Sequence, residues 1–283
     1  MTLLAPWALW FLIVGGGVVA RVQPGPGTRV LWIHGYTLDS SSWQDMWRRL
    51  PGWHHFGLDL PGHGESAPIA PQDDLVGLGR RVAAFCREQE IRHVVALSFG
   101  TVTATQAALE APDWFEAMVL GAPTLAGGPS DTEVGRSYWQ LHQLYRTAGP
   151  GPVMRDAWMS CVAWNGIDQL PELRRELGAL VARHRWTELA EWGILRLLQP
   201  AQNPADLARI RAPLLILIGD RDLPAFHEAA EILLKTVPRC RRVVLDNTDH
   251  LCMLQSPEPS ARHIAEHLQA HGATLLLAEA SAP

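Results

Sequence analysis

Short, continuous apolar runs recur along the chain, and segments with helical spacing separate them. Arg29 to Ile33 (RVLWI), Trp53 to Leu58, Ile91 to Leu97 (IRHVVAL), Ala117 to Leu120 (AMVL), Pro213 to Ile218 (PLLILI) and Arg242 to Leu245 all lack the alternation of a strand with one wet face. Such runs, bounded by Gly, Pro or Asp, fit strands buried on both sides. Between them, Ser41 to Leu50, about Asp73 to Glu88, Phe99 to Glu110, about Pro224 to Thr236 and about Pro257 to Ala270 read as helices. Regular alternation of this kind predicts right-handed crossovers and a mostly parallel sheet with helices on both faces.

At the start of the chain, Trp10 to Val14 and Val18 to Val22 flank Gly15-Gly16-Gly17, a pattern that predicts a hairpin and brings the expected sheet to eight strands. The same region can be read another way. Residues 3–20 are nearly all apolar and raise a signal peptide or membrane anchor as the alternative, against which stand Pro6, the glycine triplet and the lack of Lys or Arg ahead of the run. The expectation is therefore a hairpin and a cytoplasmic protein.

The strand–helix rhythm stops between 125 and 208, where the sequence is mainly helical and holds five of the twelve tryptophans, Trp139, Trp158, Trp164, Trp186 and Trp192. This predicts a helical cap, residues 125–208, inserted into an α/β core formed by 1–124 and 209–283. Residues up to Pro283 read as a frayed tail, and no internal repeat is present.

Composition narrows the class of partner. Hydrophobic residues make up 47% of the 283 and charged residues 19%, with a formal net charge of -5, as in an ordinary folded globular protein rather than a disordered chain. No run of Lys or Arg supplies a nucleic-acid footprint or a polybasic membrane patch, so a small-molecule substrate is the expected partner. Cys86, Cys161, Cys240 and Cys252 form no C-x-x-C pair and have no zinc-ligand spacing, so they read as reduced thiols, with no metal and no cofactor expected. Oligomeric state leaves no mark in the pattern.

The chemistry centres on Ala96-Leu97-Ser98-Phe99-Gly100, where a buried strand meets a helix. A serine on such a turn presents its hydroxyl above the sheet, the small flanking residues allow close backbone approach, and the helix N-terminus favours a developing oxyanion. Cys252, two residues after His250, is the rival nucleophile in a poorer context, and His54 and His55 read as structural.

The chain resembles the α/β-hydrolase fold superfamily, in the branch of small esterases, lactonases and carbon-carbon bond hydrolases. The resemblance rests on His34-Gly35-Tyr36, on Asp59-Leu60-Pro61-Gly62-His63-Gly64-Glu65-Ser66, on the turn at Ser98, on Gly219-Asp220-Arg221-Asp222 and on Asp249-His250-Leu251. It implies a nucleophile at Ser98, an acid at Asp222 with Asp220 as the alternative, and a base at His250. It also implies an oxyanion hole from the backbone N–H groups of Tyr36 and Phe99, with Asp59, Asp246, Asp249, His34 and His63 in structural roles. Departures are Ala96 in place of Gly, Thr101, and Asn247-Thr248-Asp249 ahead of the base. For the substrate the expected contacts are Tyr36, whose ring serves equally as a packed wall, and Trp158, Trp164 and Trp186 of the cap.

The implied reaction is cleavage of an ester, thioester or lactone of a small, largely apolar substrate through an acyl-enzyme. The same triad also serves acyl transfer, cyclisation or carbon-carbon cleavage, and a silent binding protein on this scaffold is the reading from a different class.

Overall fold

A computed structural model describes residues 10–274. Its eight strands are β1 (Trp10–Gly15), β2 (Val18–Gln23), β3 (Arg29–Ile33), β4 (His54–Asp59), β5 (His93–Leu97), β6 (Ala117–Gly121), β7 (Leu214–Gly219) and β8 (Cys240–Leu245). They form one sheet in the order β1-β2-β4-β3-β5-β6-β7-β8. The β1/β2 hairpin forms where the three glycines, all at positive φ, reverse the chain, and β2 pairs antiparallel with β4. Every further pairing is parallel. Of the apolar run 3–20, then, residues 10–20 lie in the hairpin, while 3–9 and the expected tail beyond 274 lie outside the described residues. No described helix is long and apolar enough to cross a membrane.

Helices α1 (Gln44–Arg49), α2 (Leu75–Glu88) and α3 (Gly100–Glu110) cross between strands in the first half of the chain. Helices α4 (Thr132–Ala148), α5 (Pro152–Met159), α6 (Pro171–Arg183), α7 (Gly193–Leu197) and α8 (Pro204–Leu207) fill the stretch between β6 and β7. After β7 come α9 (Pro224–Thr236), α10 (Cys252–Gln255) and α11 (Pro257–Gln269). Where a helix was expected over Ser41 to Leu50, a 3-10 turn at Ser40–Trp43 precedes α1, because the Asp39 carboxylate accepts from the Ser41 N–H and starts the turn one residue early.

Period-two alternation sorts the strands between two cores. Leu31, Ile33, Val94, Ala96, Ile216 and Ile218 face α2, α3 and α9, whereas Val30, Trp32, Val95, Leu97, Leu215 and Leu217 face α1, α11 and the helices after β6. All twelve are fully buried, which is why these strands read as unbroken apolar runs. Parallel strands end at one edge of the sheet, so β3, β5, β7 and β8 deliver their following loops to a common rim. Segment 125–208 packs onto that rim: the Trp158 indole N–H donates to Thr37 Oγ1 at 2.7 Å, Arg183 pairs with Asp39, and Gln202 Nε2 donates to the Val102 carbonyl at 2.9 Å.

Candidate active site

Ser98 sits between β5 and α3 with φ +50, a left-handed conformation rare for a residue with a side chain. Such strain costs about 1–3 kcal/mol and persists only where the surroundings enforce it. They do so here. The Ser98 N–H donates to the Gly121 carbonyl at 2.8 Å, and the Thr101 hydroxyl donates to the Ser98 carbonyl at 2.6 Å while accepting from the Thr124 N–H at 2.9 Å. Thr101, a departure from the family pattern, thus locks the turn to the loop after β6. Gly100 is obligatory, because a Cβ there would lie 2.5 Å from the His34 carbonyl oxygen.

The Ser98 hydroxyl lies 2.7 Å from His250 Nε2, and His250 Nδ1 lies 3.0 Å from Asp222 Oδ1. Residues 98, 222 and 250 come from three separate loops on the rim and form one hydrogen-bonded chain. The second acid candidate is engaged elsewhere: Asp220 Oδ1 accepts from the Thr248 N–H at 3.0 Å and shapes the loop that carries His250. Asp222 Oδ1 also accepts from the Leu223 N–H at 2.7 Å, which fixes the carboxylate against the start of α9. Cys252 is buried, its thiol directed at the Leu217 carbonyl, and burial together with the Asp222 charge pushes its pKa up, so it stays a protonated packing group.

The loop His34-Gly35-Tyr36-Thr37 lies beside the serine: a Cβ on Gly35 would come 3.5 Å from Ser98 Cβ. Neither the Tyr36 nor the Phe99 N–H donates to a backbone acceptor among the described residues. His34 anchors this loop by accepting from the Leu60 N–H at 3.0 Å through Nε2, and the buried Asp59 carboxylate accepts from the N–H groups of Ser40 and Glu65. His55 is likewise structural, accepting from the Trp32 indole at 3.0 Å.

Several contacts had no counterpart in the sequence pattern. The Tyr36 phenol donates to Glu188 Oε1 at 2.7 Å, and His184 Nε2 lies 3.1 Å from the same oxygen. Glu188 is fully buried, and its second oxygen has no partner among the described residues. Burial and the Glu188 charge hold the Tyr36 pKa well above its ordinary value, so the phenol remains a donor. Phe226 packs on the His250 ring at a centroid distance of 3.9 Å. Glu188 and Phe226 sit in mixed polar and apolar segments, RHRWTELAEW and PAFHEAAEILLKT, and no motif or spacing singles them out.

The three tryptophans expected at the substrate are all buried. Trp158 packs edge-on to Tyr36 at 5.1 Å, Trp164 stands behind Trp158 at 6.4 Å, and Trp186 packs on His184 at 4.8 Å. A groove of about 1300 Å³ opens between α6 and the loop after β3, lined by Leu38, Leu173, Leu177 and Leu254 with Asp39 and Arg183, and neither Ser98 nor these tryptophans border it. Among the described residues no cluster of three or more His, Cys, Asp or Glu is placed to hold a metal ion.

Comparison with known proteins agrees with this architecture. Residues 30–263 match the model of the alpha/beta hydrolase family. A 2-succinyl-6-hydroxy-2,4-cyclohexadiene-1-carboxylate synthase of Escherichia coli O1:K1 is 28% identical over 215 residues, which is 72% of this chain and 81% of that protein. Among solved structures, a thermophilic esterase from Thermogutta terrifontis superposes with a TM-score of 0.74 at 22% identity, covering 90% of this chain and 95% of the esterase. MenH from S. aureus gives a TM-score of 0.77 at 16% identity, covering 89% and 98%. The chain belongs to the α/β hydrolase family and is an α/β-hydrolase enzyme.

Proposed function

We propose that this enzyme is a serine hydrolase that cleaves an ester, thioester or lactone bond of a small, largely apolar substrate. The observation that carries the reading is the unbroken chain from Ser98 Oγ through His250 to Asp222, at 2.7 and 3.0 Å, on a serine held at positive φ. In this mechanism His250 takes the Ser98 proton as the hydroxyl attacks the carbonyl, Asp222 holds the imidazole with its Nδ1 proton inward, and the Tyr36 and Phe99 N–H groups receive the oxyanion. The tetrahedral adduct expels the leaving group, protonated by His250, and water activated by the same histidine hydrolyses the acyl-enzyme.

Residues 125–208 act as a cap on a core of 1–124 and 209–283. The rings of Phe99 and Tyr36, in edge contact, support an apolar acyl portion, with Trp158 packed behind Tyr36. The four free cysteines fit a cytoplasmic setting. A second reading keeps the triad for cyclisation, acyl transfer or carbon-carbon cleavage, and what favours it is the similarity to a carboxylate synthase over 72% of the chain.

The test is covalent labelling with a fluorophosphonate, followed by turnover of p-nitrophenyl acetate and butyrate, in wild type and Ser98→Ala. Labelling and turnover confined to the wild type support the hydrolase. A folded wild type that takes no label defeats it. A labelled wild type that leaves simple esters intact moves the case to the second reading.

A further inference from the structure

Two side chains of the segment between β6 and β7 reach down to two consecutive residues of the loop after β3. The Trp158 indole donates to Thr37 Oγ1 at 2.7 Å, and Glu188 accepts the Tyr36 phenol at 2.7 Å. Thr37 is itself in the left-handed region at φ +62, a conformation that a β-branched side chain resists. Its hydroxyl donates to the Tyr36 carbonyl at 2.6 Å and accepts from Trp158, so the strained turn is tied to its neighbour on one side and to α5 on the other. Glu188 is a costly choice for packing alone: it is fully buried, one oxygen carries both Tyr36 and His184, and the other has no partner among the described residues. An apolar side chain of similar volume would serve stability as well or better. Glu188 also lies against the loop after β4, since a Cβ on Gly62 would sit in van der Waals contact with Glu188 Cβ at 3.4 Å.

We infer that Trp158 and Glu188 are positioning residues that set the backbone N–H of Tyr36 in its oxyanion-binding orientation, so that the 125–208 segment completes the catalytic site when seated on the core. The inference rests on the hydrolase reading above. Neither residue touches the reacting atoms. Trp158 fixes the strained Thr37 turn, Glu188 fixes the phenol of the residue whose N–H is used, and the two constraints bracket the peptide between positions 36 and 37. Lifting the segment removes both hydrogen bonds together, leaving Thr37 free to relax to negative φ and to turn the Tyr36 peptide with it. Substrate entry and assembly of the oxyanion hole thereby become one event.

The experiment compares wild type with Trp158→Phe, Thr37→Val, Glu188→Gln, Tyr36→Phe and the double variant Tyr36→Phe/Glu188→Gln. Read-outs are kcat and KM for p-nitrophenyl butyrate, affinity for a trifluoromethyl ketone that binds as an oxyanion, and the unfolding midpoint. Trp158→Phe keeps an aromatic ring but loses the indole N–H together with the pyrrole half of the bicycle, whereas Thr37→Val keeps the shape and loses the acceptor. In both, kcat should fall about 10-fold to 100-fold, the range expected from displacing a catalytic group by a fraction of an ångström, with KM within about twofold. Trifluoromethyl ketone affinity should fall in step with kcat, and the Tyr36/Glu188 double variant should be no worse than the poorer single one. Unchanged kcat in Trp158→Phe, or a rise in KM with kcat preserved, overturns the inference. Trp158→Phe and Thr37→Val, which break the same hydrogen bond from its two sides, decide the matter if Glu188→Gln fails to unfold cooperatively. A wild type that takes no fluorophosphonate at Ser98 defeats the hydrolase reading as well; a labelled wild type with indifferent variants defeats only the positioning role.

Discussion

Helices α3 and α4 both lie near the rim that carries Ser98, yet they are built differently. Ten of the eleven residues of α3 are buried, including Thr101, Thr103 and Thr105, so sheet, α2 and the neighbouring loops enclose it on every side. Of the seventeen residues of α4 only Leu141 and His142 are buried, and Trp139 stands 54% exposed. The helix under the nucleophile is therefore held by packing around its whole circumference, while the helix that opens the 125–208 segment rests on a narrow stripe. Precision at Ser98 requires the first arrangement, because the strained φ survives only if nothing around it yields. A segment that must admit a substrate is better served by the second, since few buried contacts mean a small free energy for local opening. Amide exchange tests this directly: α3 should exchange only through global unfolding, and α4 through a cheaper local opening.

The largest expected effect lies at the rigid end of the comparison. Ser98→Ala or His250→Ala should lower kcat by on the order of 10⁴-fold or more in ester turnover. Gly100→Ala comes next: its Cβ would meet the His34 and Ile33 carbonyls at 2.5 and 2.7 Å, so the turn has to shift, with a loss of about 3 kcal/mol in urea unfolding and of labelling at Ser98. Leu31→Ala and Leu141→Ala remove equally buried leucines, one from the sheet and one from α4. The sheet variant should cost about 3–5 kcal/mol of global stability and the α4 variant under about 2, the shortfall appearing as faster exchange confined to 125–208. Equal global losses would erase the contrast.

Acid should act on the core. His55, His93 and His267 are buried there as neutral rings, their pKa values lowered by burial from 6.5 to about 3, about 4 and about 4. The unfolded chain takes up protons below pH 6.5 and the folded one does not until far lower, so stability falls as pH drops from about 6.5 toward 4, by up to about 1.4 kcal/mol per pH unit for each ring. Urea midpoints at pH 7.5 and 5.5 measure this, and a flat profile would contradict it. Smallest is Arg183→Ala, which removes the half-exposed pair with Asp39 between α6 and the core and should cost about 0.5–1 kcal/mol, less at high salt.

Much of this molecule is legible from residue pattern because the relevant physics is local. Strands buried on both faces must be apolar throughout, so Arg29–Ile33 and Leu214–Gly219 announce themselves, and three glycines between β-rich runs specify a hairpin. The turn at Ser98 is legible for a similar reason, since a strand-to-helix corner needs small residues at set positions. Asp222 and Asp220 sit two residues apart in one turn and are chemically identical. The resemblance favours Asp222, and the folded chain shows the physical difference, aiming Asp222 at His250 Nδ1 and Asp220 at the Thr248 N–H.

The tryptophans of the 125–208 segment show the same limit. Trp158, Trp164 and Trp186 are buried while Trp139 and Trp192 are exposed, and whether a buried indole faces a substrate or a threonine on another loop depends on where helices land on the rim; Trp158 landed on Thr37 across 121 positions of sequence. Glu188 is the extreme case. Its local partner, His184 four residues earlier, does not reveal its role, which comes from Tyr36, 152 positions away. The sequence by itself determined the alternation of strand and helix, the hairpin and the corner that exposes Ser98, because backbone preference and period are written in adjacent residues. Only the tertiary structure decided what occupies the second carboxylate, Asp220, and which side chains brace Tyr36, because those contacts depend on loops that meet only when the parallel strands end at one edge.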